Sequence, residues 1–183
     1  MGLRVTGADG ARAGHAERRS RLRVYQEQLL EKMQAARNGS GASSAQLGLE
    51  IGGARFLVDL VEVGEIVAPA PLISVPLTQP WYLGLANVRG SLLGVVDLAR
   101  YLGEDASPFD MDTAAAPRLV VFAPALGLNC ALLASQVFGL RQAGTMELDG
   151  NALRDADGTM WTPLSLAALA QEERFLDVGI HAN

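Results

Sequence analysis

The chain has little of the chemistry that metal sites and most enzymes need. Its 183 residues include one cysteine, Cys130, and two histidines, His15 and His181, which lie near opposite ends. Transition metals require several cysteine, histidine or carboxylate ligands held close together, and a catalytic triad requires a base beside its nucleophile. A lone cysteine cannot form an intramolecular disulfide, and the apolar neighbours of Cys130 predict a buried structural thiol. We therefore predict a protein that is not an enzyme, without metal or cofactor, in a reducing compartment.

Long apolar runs and phosphate-binding glycine motifs are also missing. No stretch of 18 or more apolar residues is present, and the first thirty residues are polar and arginine-rich, unlike a signal peptide. The patterns GxGxxG and GxxxxGK do not occur. These absences predict a cytoplasmic protein with no direct membrane insertion and no nucleotide site.

The two signs of charge are concentrated in different parts of the chain. Residues 1–38 carry eight Lys/Arg and four Asp/Glu, a net of +4, whereas residues 39–183 carry seven and sixteen, a net of −9. A nucleic-acid surface needs clustered cations, so the acidic body argues against a nucleic-acid partner. Four arginines resemble such a cation cluster, and we interpret them as the solvated face of a helix: Arg18, Arg19, Arg21 and Arg23.

The N-terminal part has the pattern of an amphipathic helix. Residues 17–37 contain no proline or glycine, and apolar side chains recur at steps of three and four, at Leu22, Tyr25, Leu29, Met33 and Ala36. Glycine and serine between residues 39 and 44 predict a flexible connection. We expect an appended helix and linker over residues 1–42, and the main domain over residues 43–183.

The remaining sequence has a β pattern, with short apolar segments bounded by Gly, Pro, Asn or Asp. Five predicted strands, at 47–51, 55–59, 63–68, 82–88 and 92–96, suffice for a first small barrel over about 45–102. After a linker at 103–117, five more, at 119–122, 130–133, 137–141, 152–154 and 160–164, predict a second barrel over about 118–170. Short helices are expected at 98–102 and 166–171. Residues 85–102 and 153–169 look like a weak internal repeat, which predicts two similar barrels that share an apolar interface.

One segment, residues 81–98, has a distinctive pattern. Two apolar strands flank Asn87-Val88-Arg89-Gly90, and the second strand ends in Asp97-Leu98. Gly90 permits a turn with positive φ, Asn87 can hydrogen-bond the backbone of that turn, and Arg89 projects five donors that can hold a carboxylate. Such a braced, exposed loop suits binding.

This segment resembles the signature of the CheW-like domain family, and residues 55–67 are similar to the strands that precede it. The resemblance extends over about residues 45–170, less sharply in the second half. The turn at 154–158 and the end at 174–179 depart from the commonest members, and together with the N-terminal helix they resemble the PilI branch, which serves type IV pilus twitching motility. The family implies two SH3-like barrels.

The resemblance also implies a function and a set of site residues. A CheW-like adaptor binds the cytoplasmic tip of a methyl-accepting chemoreceptor in an apolar groove between its barrels and the homologous regulatory domain of a histidine kinase at one barrel end. It therefore works at membrane receptor arrays. The partner-binding surface implied for this chain consists of Leu60, Val63, Glu65, Asn87, Val88, Arg89 and Gly90.

Alternatives stay open for several of these residues. An Arg89–Glu65 pair is expected, and it serves either partner binding or only the joining of two strands. Leu60 and Val63 lie at the partner surface or in the barrel core. A different function, a sensor that takes a small molecule in the groove between barrels, is the runner-up, because concave apolar sites at domain interfaces are common ligand pockets.

Overall fold

The computed structural model describes residues 45–103 and 117–180 and is mainly β. The predicted helix at 17–37 and nearly all of the predicted linker at 103–117 lie outside the described residues. Twelve strands are present in the described part: β1 Ala45–Ile51, β2 Ala54–Asp59, β3 Val63–Val67, β4 Leu72–Ile73, β5 Tyr82–Val88, β6 Ser91–Val96, β7 Arg118–Phe122, β8 Cys130–Ala134, β9 Gln136–Gln142, β10 Glu147–Asp149, β11 Ala152–Arg154 and β12 Met160–Leu164. Three short α-helices follow or end these strands: α1 Leu98–Leu102, α2 Leu166–Leu169 and α3 Glu173–Leu176.

All ten predicted strands are present, and so are helices α1 and α2. Strands β4 and β10 were not predicted, because two or three residues are too few to establish a period of two. Strand β11 is as short as β10, but the tight hairpin signal Asp157-Gly158 that follows it supported its prediction. Helix α3 was missed because it is a single turn of four residues and, unlike α2 with its Ser165 cap, has no side-chain cap at its start.

The strands form two six-stranded sheets, each made of five predicted strands and one short edge strand. We call the sheet β3-β7-β8-β6-β5-β4 barrel I and the sheet β10-β11-β12-β2-β1-β9 barrel II. Residues 68–71 join the two edge strands of barrel I, and residues 143–146 join those of barrel II. Each sheet thereby closes on itself, as in an SH3-like barrel.

The predicted assignment of strands to the two barrels is wrong. Strands β1 and β2, expected in the first barrel, pair with β9 and β12 of barrel II. Strands β7 and β8, expected in the second, pair with β3 and β6 of barrel I. Turn residues identify a hairpin between neighbours in sequence, but the parallel pairs β2–β12 and β6–β8 join distant segments and have no local signal.

The two barrels nevertheless repeat one another. Replacing β3, β4, β5, β6, β7 and β8 by β9, β10, β11, β12, β1 and β2 converts every strand pair of barrel I into one of barrel II. The segments β5-β6-α1 and β11-β12-α2 coincide with the predicted repeat, and both helices begin at a side-chain cap. Asp97 Oδ1 accepts from Arg100 N at 3.3 Å, and Ser165 Oγ accepts from Ala168 N at 3.2 Å.

Each barrel has a small interior core, and a larger core joins the two. Barrel I encloses a cluster with Leu93 and Leu119, and barrel II encloses one around Trp161. The larger core, which we call the shared core, has residues of both sheets, among them Leu49, Val58, Val120 and Leu132. Alternate residues of β7 and β8 therefore face different cores, which explains why these strands are apolar without interruption.

The C-terminal segment packs on barrel I through aromatic rings. Phe175 of α3 stacks with Trp81 at a centroid distance of 5.9 Å and with Phe122 at 6.1 Å, and it meets Tyr101 edge-on at 5.2 Å. Beyond α3, Gly179 forms an antiparallel bridge with Thr78. Phe175 is thus part of the shared core.

Candidate partner-binding surface

The turn between β5 and β6 consists of Arg89 and Gly90, and both have positive φ, 52° and 87°. Two-residue hairpin loops of this kind match the twist of the flanking strands, but positive φ is unfavourable for a bulky residue such as arginine. Gly90 N donates to Asn87 Oδ1 at 2.9 Å, as expected from the sequence. This bond braces the turn and leaves the Arg89 side chain 80% exposed.

Arg89 forms the expected ion pair, with 3.5 Å between its Nη1 and Glu65 Oε2. Glu65 lies in β3 opposite Val121, on the sheet face that encloses the interior core of barrel I. A β-bulge at Gly64 sets this orientation, because it pairs Val63 and Glu65 with successive residues of β7. A Cβ at Gly64 would lie 2.8 Å from the Phe122 carbonyl oxygen. The pair therefore joins the β5–β6 turn to β3 of the same barrel.

Val88 is misplaced in the predicted surface. Its side chain is 7% exposed and belongs to the interior core of barrel I. Side chains alternate along a strand, so an outward Asn87 requires an inward Val88. Val88 therefore lies inside the barrel beside the turn and presents little surface.

Leu60 and Val63 lie at the other end of β3. Leu60 is 37% exposed in a 3₁₀ turn that Asp59 caps, and Val63 packs half-buried against the shared core. Between them, the Glu62 carboxylate accepts hydrogen bonds from Ser165 Oγ at 3.0 Å and Leu166 N at 2.6 Å. The turn is thereby fixed to helix α2 of the opposite sheet.

Three exposed apolar residues near the predicted ones were not identified from the sequence. Val61 is 79% exposed beside Leu60, Ile66 is 39% exposed beside Glu65, and Leu92 is 54% exposed opposite Asn87. The alternation in β6, where Leu93 and Val95 face inward, could have identified Leu92. Val61 and Ile66 extend the predicted residues along β3, and Leu92 extends those beside the β5–β6 turn.

The described residues offer little reactive chemistry. Burial raises the pKa of the Cys130 thiol to about 12, against a weaker opposing effect of a hydrogen bond with the backbone of Ala131. The thiol is therefore neutral near pH 7 and is no nucleophile. Within residues 45–103 and 117–180, no group of three or more His, Cys, Asp or Glu is arranged to hold a metal, and no helix is long and apolar enough to cross a membrane.

A cavity of about 670 Å³ lies away from this surface, between the segment before β5 and the C-terminal segment. Its lining is mostly polar: Gln79, Pro80, Trp81, Arg100, Glu172, Glu173, Arg174 and Asp177. Arg100 is held by Asp97, and Arg174 donates to the Tyr101 carbonyl and stacks on the Tyr101 ring. The cavity differs from the apolar inter-barrel groove that a ligand sensor would use.

Comparisons with known proteins cover most of the described chain. A family model described as the CheW-like domain matches residues 46–174. The chain is 29% identical over 147 residues to Protein PilI of Pseudomonas aeruginosa, which is 73% of this chain and 79% of that protein. It is 35% identical over 57 residues to a probable chemotaxis protein CheW of Rhizobium etli, which is 31% of this chain and 37% of that one.

Among solved structures, the chain resembles scaffolding protein TtCheW from Thermoanaerobacter tengcongensis, with a TM-score of 0.55. The likeness covers 69% of this chain and 92% of that one, at 17% identity. It therefore concerns the fold of the two barrels.

Proposed function

Since the chain belongs to the CheW-like domain family, we propose that it is a non-enzymatic scaffold that couples a methyl-accepting chemoreceptor to a histidine kinase. The family inferred from residues 81–98 is thereby confirmed, and the identity to PilI supports the predicted branch. On that branch, the proposed output is control of type IV pilus twitching motility. The proposed location is the cytoplasmic side of a membrane receptor array.

The braced turn of barrel I is the observation that carries this proposal. Arg89 holds a strained backbone conformation at the tip of a hairpin, where its side chain is 80% exposed. An exposed ion pair contributes only about 0 to 1 kcal/mol to stability. That is too little to explain why an arginine occupies a strained position at the tip of the turn. We propose that Arg89, Asn87 and Gly90, with Glu65, contact the regulatory domain of the kinase.

Apolar residues along β3 supply the proposed receptor contact. Ile66 pairs with Val120, which is fully buried in the shared core, and Ile66 itself reaches the surface. The exposed leucine and the half-buried valine at the start of β3, Leu60 and Val63, continue this apolar strip. An apolar receptor helix would cover these side chains, and weak contacts of this kind are strengthened by multivalency in an array.

The change Arg89→Glu tests the kinase contact. Reversed charge should repel the carboxylate that Arg89 meets and also lose the attraction to Glu65, while an exposed turn costs the fold little. We expect the affinity for the kinase regulatory domain to fall about tenfold or more, equivalent to about 1.4 kcal/mol. Co-precipitation and calorimetry with receptor and kinase fragments measure it.

Arg154→Glu is the matched control, because Arg154 is also an exposed arginine, paired with Asp149, but lies on barrel II. The double variant Arg89→Glu with Glu65→Arg restores the internal pair in reversed order. Recovery of binding in the double variant would mean that Arg89 acts by shaping the turn, whereas continued loss would place it in the contact. Unchanged affinity of Arg89→Glu for both partners would refute the proposed surface.

The ligand-sensor alternative lacks a supporting observation in the described residues. The shared core between the barrels is filled by side chains such as Leu49, Val58 and Leu132, which are fully buried. The described cavity lies elsewhere and is lined mostly by charged residues. We therefore propose the scaffold function alone.

A further inference from the structure

Leu77 combines two features that are unfavourable in a folded protein. Its φ is 59°, in the left-handed region that bulky side chains avoid, and its side chain is 78% exposed. Such strain costs on the order of 1–3 kcal/mol and persists only where the surroundings impose it. An exposed leucine recovers nothing through burial, so packing within the described fold does not explain why this position has a leucine.

The C-terminal segment imposes the conformation of Leu77. Ile180 N donates to the Leu77 carbonyl at 2.8 Å, and Gln79 N donates to the Val178 carbonyl at 2.7 Å, on either side of the Thr78–Gly179 bridge. This pairing sets Leu77 opposite Ile180, which is 52% exposed. We call Leu77 and Ile180 the C-terminal patch.

The surroundings of the C-terminal patch are acidic and apolar. Residues 171–180 carry three acidic side chains and one basic, a net of −2. Within the same segment, Leu176 is 49% exposed at the end of α3. A partner that fits this surface is basic and has apolar side chains on one face.

We propose that the C-terminal patch docks the chain's own residues 18–33. This segment, outside the described residues, carries five Lys/Arg and two Glu, a net of +3, together with Leu22, Tyr25, Leu29 and Met33. Its predicted apolar stripe needs a cover, and its charge complements that of residues 171–180. Both properties of the patch are thus matched within one molecule.

The connecting chain is long enough for this contact. Eleven residues, 34–44, separate the segment from Ala45, the start of β1. Residues 34–37 belong to the predicted helix, and the seven that follow span up to about 23–25 Å when extended, whereas a body of this size has a radius of gyration of about 14 Å. Tethering by so short a linker gives an effective concentration in the millimolar range, so that a weak contact suffices.

Limited trypsin digestion of the full chain tests the docking. Trypsin cuts after the basic residues of segment 18–33, and docking should slow those cuts at least about tenfold relative to a free peptide of the same sequence. Leu77→Asn removes the apolar side chain, while asparagine tolerates the left-handed conformation. We expect this variant to lose the protection while its melting temperature stays equal or rises.

The control is Val61→Asn, which changes a side chain of equal exposure, 79%, on another surface and should leave the protection unchanged. Protection that is independent of protein concentration, and weaker at high salt, supports docking within one chain. Protection that grows with concentration would assign the patch to a second copy and overturn the proposal. Cleavage as fast as in the free peptide, or protection that survives Leu77→Asn, would overturn it as well.

Discussion

At the scale of single residues, the positive φ of Arg89 is a feature of the turn that the sequence motif did not predict. The sequence predicted positive φ at Gly90, where glycine permits it, and the structure has it at Arg89 as well. Type I′ turns need positive φ at both central residues, so a two-residue loop alone could have indicated this. The burial of Val88 could also have been predicted, because side chains alternate along a strand and its neighbour Asn87 is exposed.

Cys130 leads to a prediction about alkaline stability. Its folded-state pKa is raised to about 12 from 9.0, mainly by burial. Between these values the unfolded thiol is ionised and the native thiol is not, so the unfolded state binds fewer protons. The contribution of this thiol to the free energy of unfolding should therefore be constant below pH 9. It should fall as the pH rises from 9 toward 12. Urea denaturation at several pH values measures the slope.

The variant Cys130→Ala serves as the control for that slope. It lacks the thiol, so its stability should fall less steeply above pH 9, whatever offset the smaller side chain adds. Burial raises the pKa of Tyr82 in both proteins, and the charge of Cys130 raises it further, so the variant loses this second effect together with the thiol. Parallel slopes in the two proteins would contradict the assignment to Cys130.

At the scale of elements, hairpins and capped helices could be predicted, whereas the pairing of distant strands could not. The β1–β2 turn at Gly52-Gly53 and the cap Asp97 are local signals, and both were interpreted correctly. The pairs β2–β12 and β1–β9 join residues more than eighty positions apart, and uniform apolar strands do not specify such a partner. The site depends on one local turn and one distant pair, and only the family resemblance supplied Glu65 as the partner of Arg89.

Helix α3 leads to a prediction about the shared core. Phe175 is 2% exposed among three aromatic rings, so Phe175→Ala should lower the free energy of unfolding by about 3–5 kcal/mol. Glu173→Ala, on the exposed side of the same helix, should change it by less than about 0.5 kcal/mol. Denaturant titrations of both variants measure the difference. Similar losses in the two would show that α3 contributes through its helix rather than through its ring.

At the scale of the whole molecule, the shared core makes the two barrels one folding unit. Residues of β1, β2, β7 and β8 meet in it, so neither sheet can separate without exposing a large apolar face. The two barrels should therefore lose structure together. The chain from residue 39 onward contains every described element of both sheets.

We predict that a variant lacking residues 1–38 unfolds in one cooperative transition. Trp81 lies in the shared core and Trp161 inside barrel II, and they are the only two tryptophans of the chain. Replacing either one by phenylalanine leaves a single probe, and within each such variant the fluorescence of the remaining tryptophan and the far-UV circular dichroism should report the same midpoint. Two midpoints would separate the barrels, and loss of the transition would make the N-terminal residues part of the core.

Barrel II is assembled from both ends of the described chain, and this has a consequence during synthesis. The hairpin β1–β2 leaves the ribosome first, but β9 begins 77 residues after β2 ends, at Gln136. At roughly 5–20 residues per second, the hairpin waits about 4–15 seconds for its neighbours. In that interval Leu49 and Val58 lack the cover of their own sheet, whereas every strand of barrel I emerges as one contiguous segment. The nascent chain should therefore complete barrel I first and need chaperone protection at its first hairpin.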